Sequence, residues 1–169
     1  MKKLLLAVSA IIISAASVNA QGKTKFSIGG NVGSGSGSGN VGTAAKLKLS
    51  AGGDIQGDMN VTTGLDLTGS VGYQNFAKET IVGTVIKTHE SYIPVLVGAK
   101  VPFGKGLYGH GQLGYAFLTK KNPAPNSNNG DFAFAPSLGY GFGKNWDIAV
   151  KYLSIDKANA VLARLAYNF

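Results

Sequence analysis

Beyond residue 21 no run of the chain keeps helical spacing. What recurs is alternation of period two, in runs of about ten residues, broken by clusters of Gly, Asn, Asp and Lys. Successive side chains of a strand point to opposite faces, so this alternation predicts two-faced strands. Eight are predicted, at 24–33, 42–52, 60–75, 89–102, 107–118, 131–142, 145–154 and 160–169. Their lengths match the ~9–11 residues a tilted strand needs to cross hydrocarbon.

The two faces differ in kind. In the last strand Val161, Ala163, Leu165, Tyr167 and Phe169 share one face, and Leu162, Arg164, Ala166 and Asn168 the other. The sixth sets Phe132, Phe134, Pro136, Leu138, Tyr140 and Phe142 against Ala133, Ala135, Ser137, Gly139 and Gly141. A soluble barrel would turn its polar face to water, yet small Gly, Ala and Ser make a poor solvated surface. They do suit the narrow interior of an eight-stranded barrel, with the bulky face turned to lipid. The predicted fold is therefore all-β: an eight-stranded antiparallel up-and-down transmembrane β-barrel.

Connections alternate in length. Phe103-Gly104-Lys105-Gly106 and Gly143-Lys144 read as tight turns, and Gly53 to Met59 as a looser short one. Ser34 to Asn40, Asn75 to Thr88 and Lys120 to Gly130 are longer, which puts the short turns and both termini on the periplasmic side. On this topology Phe103, Tyr108, Phe142, Trp146, Tyr167 and Phe169 form a lower aromatic girdle, and Tyr73, Tyr92, Phe117, Phe132 and Tyr152 an upper one.

Residues 1–20 read as a signal peptide and 21–169 as the barrel domain. Lys2 and Lys3 precede the apolar run Leu4 to Val18, and Val18-Asn19-Ala20 offers a cleavage site between Ala20 and Gln21. The run is shorter than the roughly 20 residues of a spanning helix. Without the two leader lysines the chain keeps 14 bases against 8 acids, a net of +6. For an exported chain that basicity points to anionic lipid rather than nucleic acid. The absence of Cys excludes a lipid-modified cysteine and a disulfide framework.

Ile93 to Lys100, Leu107 to Gly114, Pro136 to Phe142 and the ending Leu165-Ala166-Tyr167-Asn168-Phe169 resemble the small outer-membrane β-barrel domain proteins of Gram-negative bacteria, of the OmpX/OmpA-barrel type. The resemblance covers nearly all of the mature chain. It implies the outer membrane as location and outer-membrane lipid, lipopolysaccharide and the barrel-assembly machinery as partners, with Phe169 as the terminal aromatic that this machinery reads. It implies no one activity, since these barrels host unrelated functions.

Catalytic patterns are weak. His89, Glu90 and Ser91 are consecutive, so on a strand they cannot converge. Two separated His and no Cys give no metal-ligand spacing. The Gly-Ser stretch Gly33 to Gly39 lacks the Gly-Lys-Ser/Thr and helix of a phosphate loop. No enzyme activity, cofactor or metal is expected.

By parity the interior receives Lys46, Lys48, Lys100, Lys151 and Arg164 against Asp66 and Asp147, with His110 among them. That is five bases against two acids, a surplus of +3. An internal charge network tying strands together is the preferred reading, because eight strands leave little free bore. The expected function is non-enzymatic: envelope integrity, or surface interaction and adhesion through the outer loops. Apolar alternation from Thr80 to Tyr92 could extend one hairpin beyond the membrane and offer a strand edge to a partner. The alternative is a narrow porin or small-molecule transporter with a basic lumen.

Overall fold

A computed structural model describes residues 24–37, 48–82, 84–119, 130–155 and 158–169, with the side chains of all but 36, 37, 48, 77–90 and 158. The signal-peptide reading with its Ala20/Gln21 junction, Lys46 and the side chain of Lys48 fall outside this set. The strands are β1 (Thr24–Gly37), β2 (Lys48–Thr62), β3 (Leu65–Val82), β4 (Thr84–Gly104), β5 (Leu107–Thr119), β6 (Gly130–Phe142), β7 (Trp146–Ile155) and β8 (Ala158–Asn168). Each pairs antiparallel with its neighbours in sequence, and β8 closes on β1.

The stagger of the barrel follows from its registers. Phe26 pairs with Gly57, and the path runs through Gly69, Val97, Leu113, Phe134, Ser154 and Asn159 to Ser36, back on β1. One circuit thus climbs ten residues along β1. With strands ~4.8 Å apart and ~3.3 Å per residue, this gives a tilt of about 40° and a radius of roughly 8 Å. Such a bore is filled by side chains.

Outward positions are apolar and exposed, including Ile28, Ile55, Val97, Leu113, Phe134, Val150 and Leu165. Water would penalise that surface; hydrocarbon does not. The outward face turns polar at Asn75, Ser91, Thr119, Ser154 and Asn159. From Ser91 to Phe103 a tilted strand rises roughly 30 Å, the thickness of a hydrocarbon core.

Several boundaries differ from the sequence expectation: β1 runs on to Gly37, into the expected loop from Ser34, and two larger shifts follow. The stretch Gly53 to Met59 is not a turn but the middle of β2, and the turn falls at Thr63-Gly64, with Gly64 at φ 96°. Gly and Asp are turn formers in water. In a barrel wall they alternate instead: Asp54, Gln56 and Asp58 face a polar interior while Gly53, Ile55 and Gly57 face lipid. The expected loop from Asn75 to Thr88 is likewise not open. β3 and β4 stay paired through Val82↔Thr84, seven register pairs beyond Asn75↔Ser91.

The girdle assignment needs correcting too. Tyr108 and Tyr92 are 6% and 3% exposed and point inward, by the same parity that turns His110 and Leu96 inward. Phe103, Phe142, Trp146, Tyr167 and Phe169 do face outward at the turn end, with Trp146, Tyr167 and Phe169 in successive edge-to-face contact.

Candidate functional site

The interior is stratified. Toward the turn end it is polar and charged: along β7 Asp147 and Lys151 come before Leu153 and Ile155, and along β4 Lys100 lies below Leu96 and Tyr92. Toward the loop end it is apolar, a cap of Phe76, Tyr92, Leu96, Leu153, Ile155, Leu162 and several alanines, with Leu118 against it. Phe76 and Tyr92 meet edge to face at 5.7 Å. These large inward side chains are a departure from the small-residue lumen that the sequence suggested.

Arg164 on β8 organises the charged layer. Its Nε and Nη2 donate to Asp54 Oδ1 at 3.0 and 2.6 Å, across the closing strand β1. Nη2 also donates to Ser27 Oγ at 3.2 Å, and Nη1 reaches Asp147 Oδ1 at 3.5 Å. Asp54 Oδ2 accepts from Asn31 Nδ2 at 2.7 Å and lies 4.0 Å from Lys151 Nζ. Asp147 accepts a 2.6 Å hydrogen bond from the Tyr108 hydroxyl. One layer nearer the turns, Lys100 Nζ lies 3.0 Å from Asp58 Oδ2 and 4.1 Å from the Tyr108 ring centroid, while Gln56 donates to Asp58 at 2.6 Å.

This network brings together Lys100, Asp147, Lys151 and Arg164 of the residues singled out by sequence. His110 stands beside it, its Nε2 2.8 Å from Thr68 Oγ1. Asp66 is on the inward parity but sits half-exposed at the turn-end rim, where it accepts from Asn60 at 2.7 Å. Asp54 and Asp58 were missed, because they fell in the supposed turn; their period-two spacing with Gln56 was the available signal. The expected surplus of +3 counted Lys46 and Lys48, which lie outside the described side chains, and lacked Asp54 and Asp58. Among the described residues the interior sets Asp54, Asp58 and Asp147 against Lys100, Lys151 and Arg164. A buried charge without a partner is costly, and here every buried charge has a counter-charge.

Chemically the layer ties β2, β5, β7 and β8 together through ion pairs and hydrogen bonds. The cavity between the charged layer and the cap, bordered by Asn31, Asp54, Ser70, Leu96 and Lys151, holds about 20 Å³. That suits roughly one water molecule. Asn31 Oδ1, on the border of this cavity, is buried and accepts no hydrogen bond among the described residues. Among the described residues no three His, Cys, Asp or Glu are grouped as a metal site.

The same architecture occurs in solved structures. The attachment invasion locus protein Ail of Yersinia pestis, in complex with the heparin analogue sucrose octasulfate, superposes with a TM-score of 0.56 at 19% identity, over 88% of this chain and 99% of Ail. Neisserial surface protein A superposes with a TM-score of 0.51 at 11% identity, over 86% of this chain and 97% of that one. At such identities the likeness is one of fold. No curated protein sequence matches. The profile of the outer membrane protein β-barrel domain matches residues 4–169, and with the closed barrel and its lipid-facing surface this makes the chain a member of that outer-membrane family.

Proposed function

We propose that the protein is a non-enzymatic barrel that displays the β3–β4 hairpin at the cell surface for binding a partner. The observation that carries this reading is the ladder from Phe76↔Glu90 to Val82↔Thr84, which continues beyond the polar rim. At ~3.3 Å per residue along a tilted strand, it stands roughly 17 Å clear of the barrel wall. β2 stops pairing with β3 at Ser50↔Phe76, and β5 stops pairing with β4 at Ser91↔Thr119. Among the described residues both hairpin edges beyond those points lack a paired strand, the arrangement that β-augmentation uses. A stiff hairpin also loses less conformational freedom on binding than a floppy loop.

The periplasm is assigned to the short-turn end, as the alternation of connection lengths suggests. Phe169 would then stand at the inner rim, its N–H bonded to Phe26 O at 2.8 Å and its side chain 76% exposed, open to a receptor during assembly. The pore reading finds less support, because apolar cap and charged layer both occupy the bore. Ail, a barrel of this fold, is known in complex with a heparin analogue, which makes immobilised heparin a suitable first probe.

The test is retention of expressing cells on heparin-coated and protein-coated surfaces. Cells carrying the full barrel should be retained above barrel-less cells, and replacing residues 77–90 by a tight turn should abolish the difference while the barrel still assembles. Equal retention of all three strains would overturn the proposal.

A further inference from the structure

The turn end carries a second pattern that the surface-binding reading does not use. Lys25, Lys105 and Lys144 are all exposed there. None is ion-paired among the described residues, and the other charged side chains near that end, Asp58, Asp66, Lys100 and Asp147, are inward or bonded at the rim. Each lysine lies within two residues of an outward aromatic: Lys25 precedes Phe26, Lys105 follows Phe103 and Lys144 precedes Trp146. Aromatic rings of this kind sit at headgroup level, so the ammonium groups of Lys105 and Lys144 are held near the depth of lipid phosphates, whereas Lys25 shares the inward parity of Ser27 and of its register partner Asp58 and opens on the lumen mouth.

The backbone at Lys105 adds an independent reason. Gly104, Lys105 and Gly106 all have positive φ, at 102°, 51° and 87°. A lysine in the left-handed region is disfavoured relative to Gly or Asn. No hydrogen bond or ion pair among the described residues engages the Lys105 side chain, and the backbone beside it is tied to β6 by the 2.9 Å bond from Gly141 N–H to Gly106 O. What lysine adds at that site is its charge.

We propose that Lys105 and Lys144 form a partial collar that binds the phosphate groups of net-anionic phospholipids in the leaflet at the turn end. Charge complementarity selects this occupant: the collar is cationic, and its aromatic neighbours are embedded where acyl chains meet headgroups. The β2–β3 turn, Thr63-Gly64, carries no lysine, so lipid would gather along the arc from the β4–β5 turn to the β6–β7 turn.

Trp146 is the one tryptophan in the chain and sits in this collar, so it reports local lipid directly. The full barrel is placed in mixed phosphatidylglycerol and phosphatidylcholine vesicles in which one lipid or the other has brominated chains, and quenching of Trp146 is compared. A juxtamembrane lysine favours anionic lipid by about fivefold at low salt. The wild type should therefore show several-fold preference for phosphatidylglycerol, falling toward unity at high salt, where charges are screened. The double variant Lys105→Gln, Lys144→Gln should lose the preference while keeping heat-modifiable migration. If the double variant does not fold, Lys144→Gln alone should weaken it beside the reporter. Equal quenching by both lipids in the wild type would overturn the collar, as would a preference that survives either high salt or loss of the lysines.

Discussion

Arg164 and Asp54 stand 110 residues apart in sequence and meet inside the barrel through three hydrogen bonds to the two carboxylate oxygens, the shortest 2.6 Å. Their strands, β8 and β2, are not neighbours; β1 lies between them. The pair therefore spans the seam at which the two ends of the sheet join, and it does so where both side chains are nearly sealed from solvent.

Asp54→Asn should destabilise the barrel by about 3–5 kcal/mol, because it leaves two buried cations, Arg164 and Lys151, with only the longer 3.5 Å contact from Arg164 to Asp147 to compensate them. Asp147→Asn should cost less, about 1–2 kcal/mol, since its contact with Arg164 is 3.5 Å and the Tyr108 hydroxyl can still donate to an amide oxygen. Urea unfolding in lipid vesicles measures both. Equal costs would show that the two carboxylates share the bracing evenly, contrary to the geometry.

The fold was legible in the sequence because lipid imposes a strict rule: every outward position in a spanning strand must be apolar, and period two survives even where the residues are glycines. The interior obeys a looser rule. Asp54 and Asp58 satisfy it by pairing with Arg164 and Lys100 from distant strands, and nothing local distinguishes such an aspartate from one in a turn. The apolar cap was hidden for a related reason. Phe76 fell within the stretch expected to be a loop, and Tyr92 and Leu96 lie on a strand whose outward Ile93, Val95 and Val97 are also apolar, so alternation there is faint. Tyr108 was misplaced because an aromatic near a strand end suits a girdle as well as it suits a buried hydroxyl donor.

Val150 is outward, 59% exposed and near the middle of β7. Val150→Arg should cost about 2–4 kcal/mol, the depth-dependent cost of a cation near the midplane. Phe132→Arg, close to the polar end of β6, should show a smaller electrostatic penalty. Vesicle unfolding of the two variants checks the membrane position, and a larger loss at Phe132 would mean the lipid band is misplaced along the barrel.

Gly139 is fixed by its neighbour rather than by its backbone. A Cβ there would lie 2.2 Å from the Tyr108 ring and hydroxyl. Gly139→Ala should therefore push Tyr108 off Asp147 and cost about 1–3 kcal/mol through overpacking. Tyr108→Phe removes the hydroxyl without touching the wall, at about 1–2 kcal/mol. Because the alanine already displaces the hydroxyl, the double variant should lose less than the sum of the two singles. Strict additivity in the same unfolding assay would mean Tyr108 does not occupy that space.

Ion passage would have to defeat two barriers in series. The cap excludes water by being apolar, and constrictions of that kind stop ions by dewetting. Below it, Arg164, Asp54 and Lys151 are ion-paired inside the barrel, and the cavity between the two layers has room for about one water. Wild-type protein in planar bilayers should therefore carry no current. Leu96→Ala with Leu162→Ala hollows the cap, costing about 2–5 kcal/mol at each leucine, yet should still be silent because the charged layer is intact. Adding Asp54→Asn to that pair frees Arg164 and Lys151 from their shared acid. The triple variant, if it assembles, should then open with preference for anions, since two cations outnumber the remaining Asp147 at that depth. Current through the wild type would sink the closed-lumen reading outright. Current through the cap variant alone would show that the ion pairs brace the wall without blocking the bore.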